Sequence, residues 1–138
     1  DSDEISVNPM NIQKRTIVDR IFRNREYRPP WLWSLVQMIR NVHDDIHPEG
    51  ESSRSRLIVH PTAAGSVRGA HNCGRCDKEV AAAIERYSVS GSLLEFEGLS
   101  CECESQWKAE IDLDTSLPIP LGSGIDRRLD PIEALLSP

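Results

Sequence analysis

Four cysteines stand in two close pairs, Cys73-Gly-Arg-Cys76 and Cys101-Glu-Cys103, with 24 residues between the pairs. Zinc takes thiolate ligands in a tetrahedron, and a Cys-x-x-Cys turn brings two sulfurs to one ion while backbone N–H groups point at them. Gly74 gives the first turn its backbone freedom. The pattern predicts one structural Zn2+ held by Cys73, Cys76, Cys101 and Cys103, with His71 as the substitute ligand. A zinc ion with four thiolates keeps two net negative charges. Arg75, Lys78 and His71 stand close enough in sequence to offset them, as does the N-terminus of the helix expected after Cys76.

Other chemistries fit less well. Two disulfides would suit a secreted chain, yet Asp1 to Pro9 lacks the basic-then-apolar layout of an export signal. A Cys-x-x-Cys opening a helix can also be a thiol redox pair, because a helix N-terminus lowers a thiol's pKa. That leaves Cys101 and Cys103 without a role. A zinc deaminase needs His-x-Glu upstream of its cysteines, and neither His60 nor His71 is followed by an acid in that place. His43 and His47 share a helical face but lack the glutamate of a metalloprotease helix, so they read as a solvated helix end. No phosphate loop, dinucleotide fingerprint or Ser-His-Asp grouping is present, and a small-molecule substrate is not expected.

Together the two cysteine pairs resemble zinc-ribbon and zinc-knuckle modules, a likeness confined to about residues 71 to 114. Such modules are usually scaffolds, and fold-level likeness assigns no task.

The elements that must position the cysteines follow from spacing. Asn8-Pro9 is a helix start, and Ile17, Val18, Ile21 and Phe22 recur at helical intervals, which places a first helix at about 9 to 24. Pro29-Pro30 opens a second, about 30 to 46, whose wide apolar stripe (Leu32, Leu35, Val36, Ile39) requires burial. Leu57 to Val59 reads as a short strand and Lys78 to Tyr87 as a helix. Leu93 to Glu97 and the alternating Trp107 to Asp114 read as the two strands of a β-hairpin, with Cys101 and Cys103 near its turn. The expected fold is a small zinc-stabilised α+β domain over residues 1–115, with a zinc module at 71–114. A Pro-rich tail, 116–138, would end in a short helix.

The 138 residues carry a formal charge of −6, and the acidity is concentrated after Cys101, where three basic residues face eight acidic ones. This excludes a uniformly basic surface while leaving the N-terminal segment able to form a local one. Arg23, Arg25 and Arg28 beside Trp31 and Trp33 are the nucleic-acid candidates. The alternative reading of that segment is a solvated turn followed by tryptophans packed in the core. Leu129, Ile132, Leu135 and Leu136 would either dock in a protein groove or close the domain's own core.

The leading expectation is a non-enzymatic, intracellular (cytoplasmic or nuclear) regulatory adaptor that binds a protein, of the kind a virus uses as an accessory factor. The rivals are a nucleic-acid-binding zinc protein and a thiol–disulfide oxidoreductase using Cys73 and Cys76. The longest apolar run, Trp31 to Ile39, is too short to span a membrane. The start at Asp1 rather than Met reads as a trimmed one.

Overall fold

In the computed structural model of the protein, residues 3–49 and 55–116 are described, with side chains through residue 113. The chain forms two units, Asp1–Cys103 and Glu104–Pro138.

The first unit is built around α2 (Leu32–Ile46) and α3 (Asp77–Ser90). The apolar stripe of α2 lies in the core, with Leu32, Trp33, Leu35, Val36 and Ile39 all buried. From α3 come Val80, Ala83, Ile84 and Tyr87, again at intervals of three and four. Phe96 stacks on Tyr87 with ring centroids 5.5 Å apart. Two short strands, β1 (Glu4–Val7) and β2 (Arg56–Val59), pair in parallel with Ile5 opposite Leu57 and Val7 opposite Val59. β2 is tied to α3 through Ser88, whose hydroxyl accepts from the Val59 N–H and lies 3.0 Å from the Val59 carbonyl. The α+β class expected from the sequence is therefore the observed one, with four helices and a two-stranded sheet among the described residues.

The helix and strand bounds depart from expectation for identifiable reasons. α1 spans Ile17–Arg23 rather than 9 to 24. Thr16 is its N-cap, accepting from the Asp19 N–H. Upstream, Ile12 donates to the Arg68 carbonyl and Arg15 sits at φ 67°, neither compatible with a helix running through them. The strand β1 was not anticipated, because four residues, Glu-Ile-Ser-Val, offer too short an alternation.

The expected β-hairpin is corrected outright. Leu93–Phe96 is a 3-10 turn capped by Ser92, and Cys103–Ser116 is a helix, α4. The alternation of 107–114 misleads because Ile111 and Leu113 are exposed, at 43% and 58%, and so mark no buried face. What the stretch does contain is helix-forming Lys, Ala, Glu and Leu, with Glu104–Lys108 (3.0 Å) and Gln106–Glu110 (3.4 Å) bonded at i,i+4. The expected C-terminal helix lies outside the described residues.

Candidate metal centre

The polypeptide reaches the cysteines through two turns that polar side chains shape. Residues 72 to 74 wrap around the carboxylate of Asp77, the first residue of α3: the Asn72 N–H donates to its Oδ1 at 2.8 Å and the Gly74 N–H to its Oδ2 at 2.6 Å. Gly74 has φ 91°, which a residue with a Cβ rarely adopts. The loop is also held to the start of α2, since the His71 N–H donates to the Pro30 carbonyl and the Trp33 N–H to Asn72 Oδ1. Cys73 and Cys76 are thereby fixed at the N-terminus of α3, while Cys101 and Cys103 arrive at the start of α4.

All four sulfurs lie within 4.8 Å of one another. Cys73–Cys101 is 3.6 Å, Cys76–Cys103 is 3.7 Å and Cys73–Cys76 is 4.0 Å. A sulfur tetrahedron around zinc at about 2.3 Å has edges of about 3.8 Å. The set therefore has the size of a metal's coordination shell, whereas a disulfide would bring a pair to about 2.05 Å; the four thiols are free.

The surroundings fit thiolates. Backbone N–H groups of Arg75 and Cys76 pull the Cys73 thiol down to about 6. Burial pushes Cys76 up to about 12 and raises Cys103, each opposed first by a donor from a side chain other than cysteine: the Asn72 amide on Cys76 and the Trp33 indole N–H on Cys103, both at 3.3 Å. Buried thiols with aimed donors become anions once a cation supplies the countercharge, and such donors are what orients metal ligands. Arg75 pairs with Glu102 at 3.0 Å, and its charged form is favoured first by Glu102 and then by Cys73. His71 takes another role: its Nδ1 donates to the Gly69 carbonyl at 2.8 Å, and it is not among the clustered ligands. A two-cysteine redox centre does not account for an arrangement that closes over all four sulfurs.

The other candidate residues separate. Trp31 and Trp33 are buried in the core, with the Arg28 guanidinium 3.8 Å over the Trp31 ring. Arg23 and Arg25 are exposed and Arg28 is half-buried. His43 meets Tyr87 Oη at 3.0 Å through Nδ1 and stacks obliquely near His47, a helix-packing role. Leu129, Ile132, Leu135 and Leu136 lie outside the described residues. Sequence reasoning missed Asn72, Asp77 and the indole of Trp33 as supports of the cysteines. The first two were signalled by their places beside the Cys-x-x-Cys turn; the third, 70 residues away from Cys103, had no local signal.

Comparison with known proteins bears on the task. The chain is 36% identical over 113 residues to the archaeosine synthase subunit beta of Methanosarcina acetivorans, covering 82% of this chain and 31% of that protein. It is 36% identical over 108 residues to the protein of the same name from Thermococcus kodakarensis, covering 78% and 32%. An uncharacterised protein of Methanocaldococcus jannaschii is 28% identical over 121 residues, 86% of this chain and 31% of that one. The chain thus spans about a third of the length of these relatives. No family model matches, and no solved structure does.

These relatives overturn the expected viral accessory factor or free-standing adaptor, since they are archaeal proteins named as a subunit of a synthase. A thiolate knuckle stabilises a turn in the same way whether the surrounding protein is an adaptor or part of an enzyme, so the cysteine spacing could not separate the two.

Proposed function

We propose that the chain is the metal-stapled portion of an archaeosine-synthase β-type subunit and serves the modification of tRNA within a multi-subunit enzyme. The observation that carries this reading is the 36% identity extending over about four-fifths of the chain. The relatives' name is that of an archaeal tRNA-modifying enzyme, and a β subunit implies a protein partner as well as the RNA.

In this reading Cys73, Cys76, Cys101 and Cys103 hold one zinc ion. Four sulfurs fill its coordination and leave no open position for a substrate or an activated water, so the ion's contribution is to fix the fold. The residues of this chain then position RNA or partner, and the reacting groups lie elsewhere in the complex. No described helix is long and apolar enough to cross a membrane. The task carries an intracellular location, and the archaeal relatives give no support to a nuclear one.

The test is nucleoside mass spectrometry of tRNA from cells lacking the protein. Loss of archaeosine, restored by the intact gene and not by a Cys76→Ser/Cys103→Ser version, is the expected result. Unchanged archaeosine in the deletion would remove the proposal.

A further inference from the structure

Two open cavities adjoin along α1 and share Arg23. One, about 290 Å³, is lined by Arg15, Arg20 and Arg23; the other, about 610 Å³, by Arg23, Arg25 and Arg28 together with Tyr27. Five guanidiniums thus line the two cavities, taken together as one groove, against two carboxylates, Asp19 and Glu26, in a chain whose formal charge is −6. That of Arg28 already donates to the Pro29 and His71 carbonyls and lies over Trp31, which leaves Arg15, Arg20, Arg23 and Arg25 to meet an anion.

Asp19 does not oppose an anion in that groove, because it is buried and already occupied. Its oxygens accept from the Arg15 N–H at 2.9 Å, from Arg23 Nη2 at 2.9 Å and from Arg68 Nη2 at 2.8 Å. It acts as a holder: Arg23 is fixed on its inner edge while the side chain remains 62% exposed. Arg20 and Arg25 are exposed and have no ion-pair partner among the described residues.

The backbone adds an independent indication. Arg15 and Arg25 bracket α1, and both lie in the left-handed region, at φ 67° and 61°. Glycine fills such positions without the clash a Cβ brings. Arginine at both ends forgoes that ease and sets a long cation at each end of the groove.

We infer that α1 and its two flanking turns are the surface that grips the phosphate backbone of RNA; the inference rests on the tRNA-modification reading above and names the residues that serve it. Planar guanidinium forks match phosphate oxygens two at a time, and the half-buried ring of Tyr27 lies where a base can stack. An acidic peptide would use the charges without the ring. The tryptophans of the original candidate segment take no part, being buried.

The experiment measures binding of an unmodified tRNA transcript to the zinc-loaded chain by fluorescence anisotropy over a salt series. The key variant is Arg15→Gly/Arg25→Gly, which removes two charges while easing the backbone. It is expected to bind at least about tenfold more weakly, with a salt slope shallower by about 1.4 to 1.8, since each lost phosphate contact removes about 0.7 on a single strand and about 0.9 on a duplex, and tRNA holds both. Its melting temperature should stay level or rise, which a merely damaged fold would not do. Arg86→Gln/Lys108→Gln, which removes two charges elsewhere, should bind like the parent. If the double glycine variant does not fold, Arg20→Gln decides by the same readout, with binding about threefold weaker expected.

Equal binding by parent and variants would overturn the groove as the RNA face and leave the tRNA reading standing. A parent chain that binds no tRNA, or prefers polyglutamate, would likewise overturn the groove, whereas the tRNA-modification reading itself falls only to unchanged archaeosine in the deletion.

Discussion

The cysteine knuckle and the arginine groove are each organised by one buried carboxylate in the first turn of a helix, and they use it to opposite ends. Asp77 gives both oxygens to backbone N–H groups, of Asn72 and Gly74, so its charge shapes a loop. Asp19 takes one backbone N–H, from Arg15, and gives the rest of its capacity to the guanidiniums of Arg23 and Arg68. In the first region the polar groups turn inward and close around sulfur. In the second they hold cations at the surface, ready for a partner. Identical chemistry at a helix start thus yields a fold determinant in one place and a binding surface in the other, according to whether backbone or side chain answers the carboxylate.

The largest effect that would sharpen this contrast is loss of the metal. Structural zinc in small peptides contributes on the order of 10–16 kcal/mol of apparent binding energy, as much as the whole stability of a domain, about 5–15 kcal/mol. Chelation, or Cys103→Ser, should abolish cooperative thermal unfolding of residues 71–103 as followed by circular dichroism. An unchanged melt would mean the knuckle stands on its own hydrogen bonds.

Next in size is Asp77→Ala, which strands two N–H groups in the turn and should cost about 2–4 kcal/mol in denaturant unfolding. A cost near zero would show that the sulfurs alone define the turn.

Asp19 should behave differently, through pH. Its carboxyl is held well below the ordinary range, first by the Arg15 N–H, then by Arg68 and Arg23. A depressed pKa gives stability that is full above the unfolded value of about 3.9 and fades as pH falls below it. The parent chain should therefore lose melting temperature in acid more steeply than Asp19→Asn. Parallel acid profiles would remove Asp19 as the organiser of the groove. The smallest effect belongs to Arg75→Gln: the pair with Glu102 is 72% and 87% exposed, and its loss should leave the midpoint of the denaturant unfolding unchanged within error.

How legible these features were in the sequence followed from how local their causes are. The cysteine pairs, the helix after Cys76 and the apolar stripe of α2 rest on spacings of a few residues, and the structure brings the four sulfurs together. The α4 segment was misread because exposed Ile111 and Leu113 imitate an alternating strand, while the i,i+4 pairs that favour the helix are polar. α1 was drawn too long because, besides the local Thr16 cap, the stretch before it is held by the Arg68 carbonyl, which takes the Ile12 N–H from 56 residues away. The indole donor to Cys103 likewise exists only after the chain has folded, whereas Arg23, Arg25 and Arg28 stand out in the sequence itself and the fold adds Arg15 and Arg20 to them. That the relatives are named as a synthase subunit was not legible at all, since a closed thiolate site looks alike in any host protein.

The knuckle's role as a fold determinant requires that its four sulfurs surround one metal ion. Zinc-edge X-ray absorption on the purified chain, with metal content measured in parallel, addresses it most directly. One zinc per chain with four sulfur neighbours at about 2.3 Å is expected. A shell containing imidazole nitrogen, or a metal-free chain with its cysteines joined in disulfides, would contradict it.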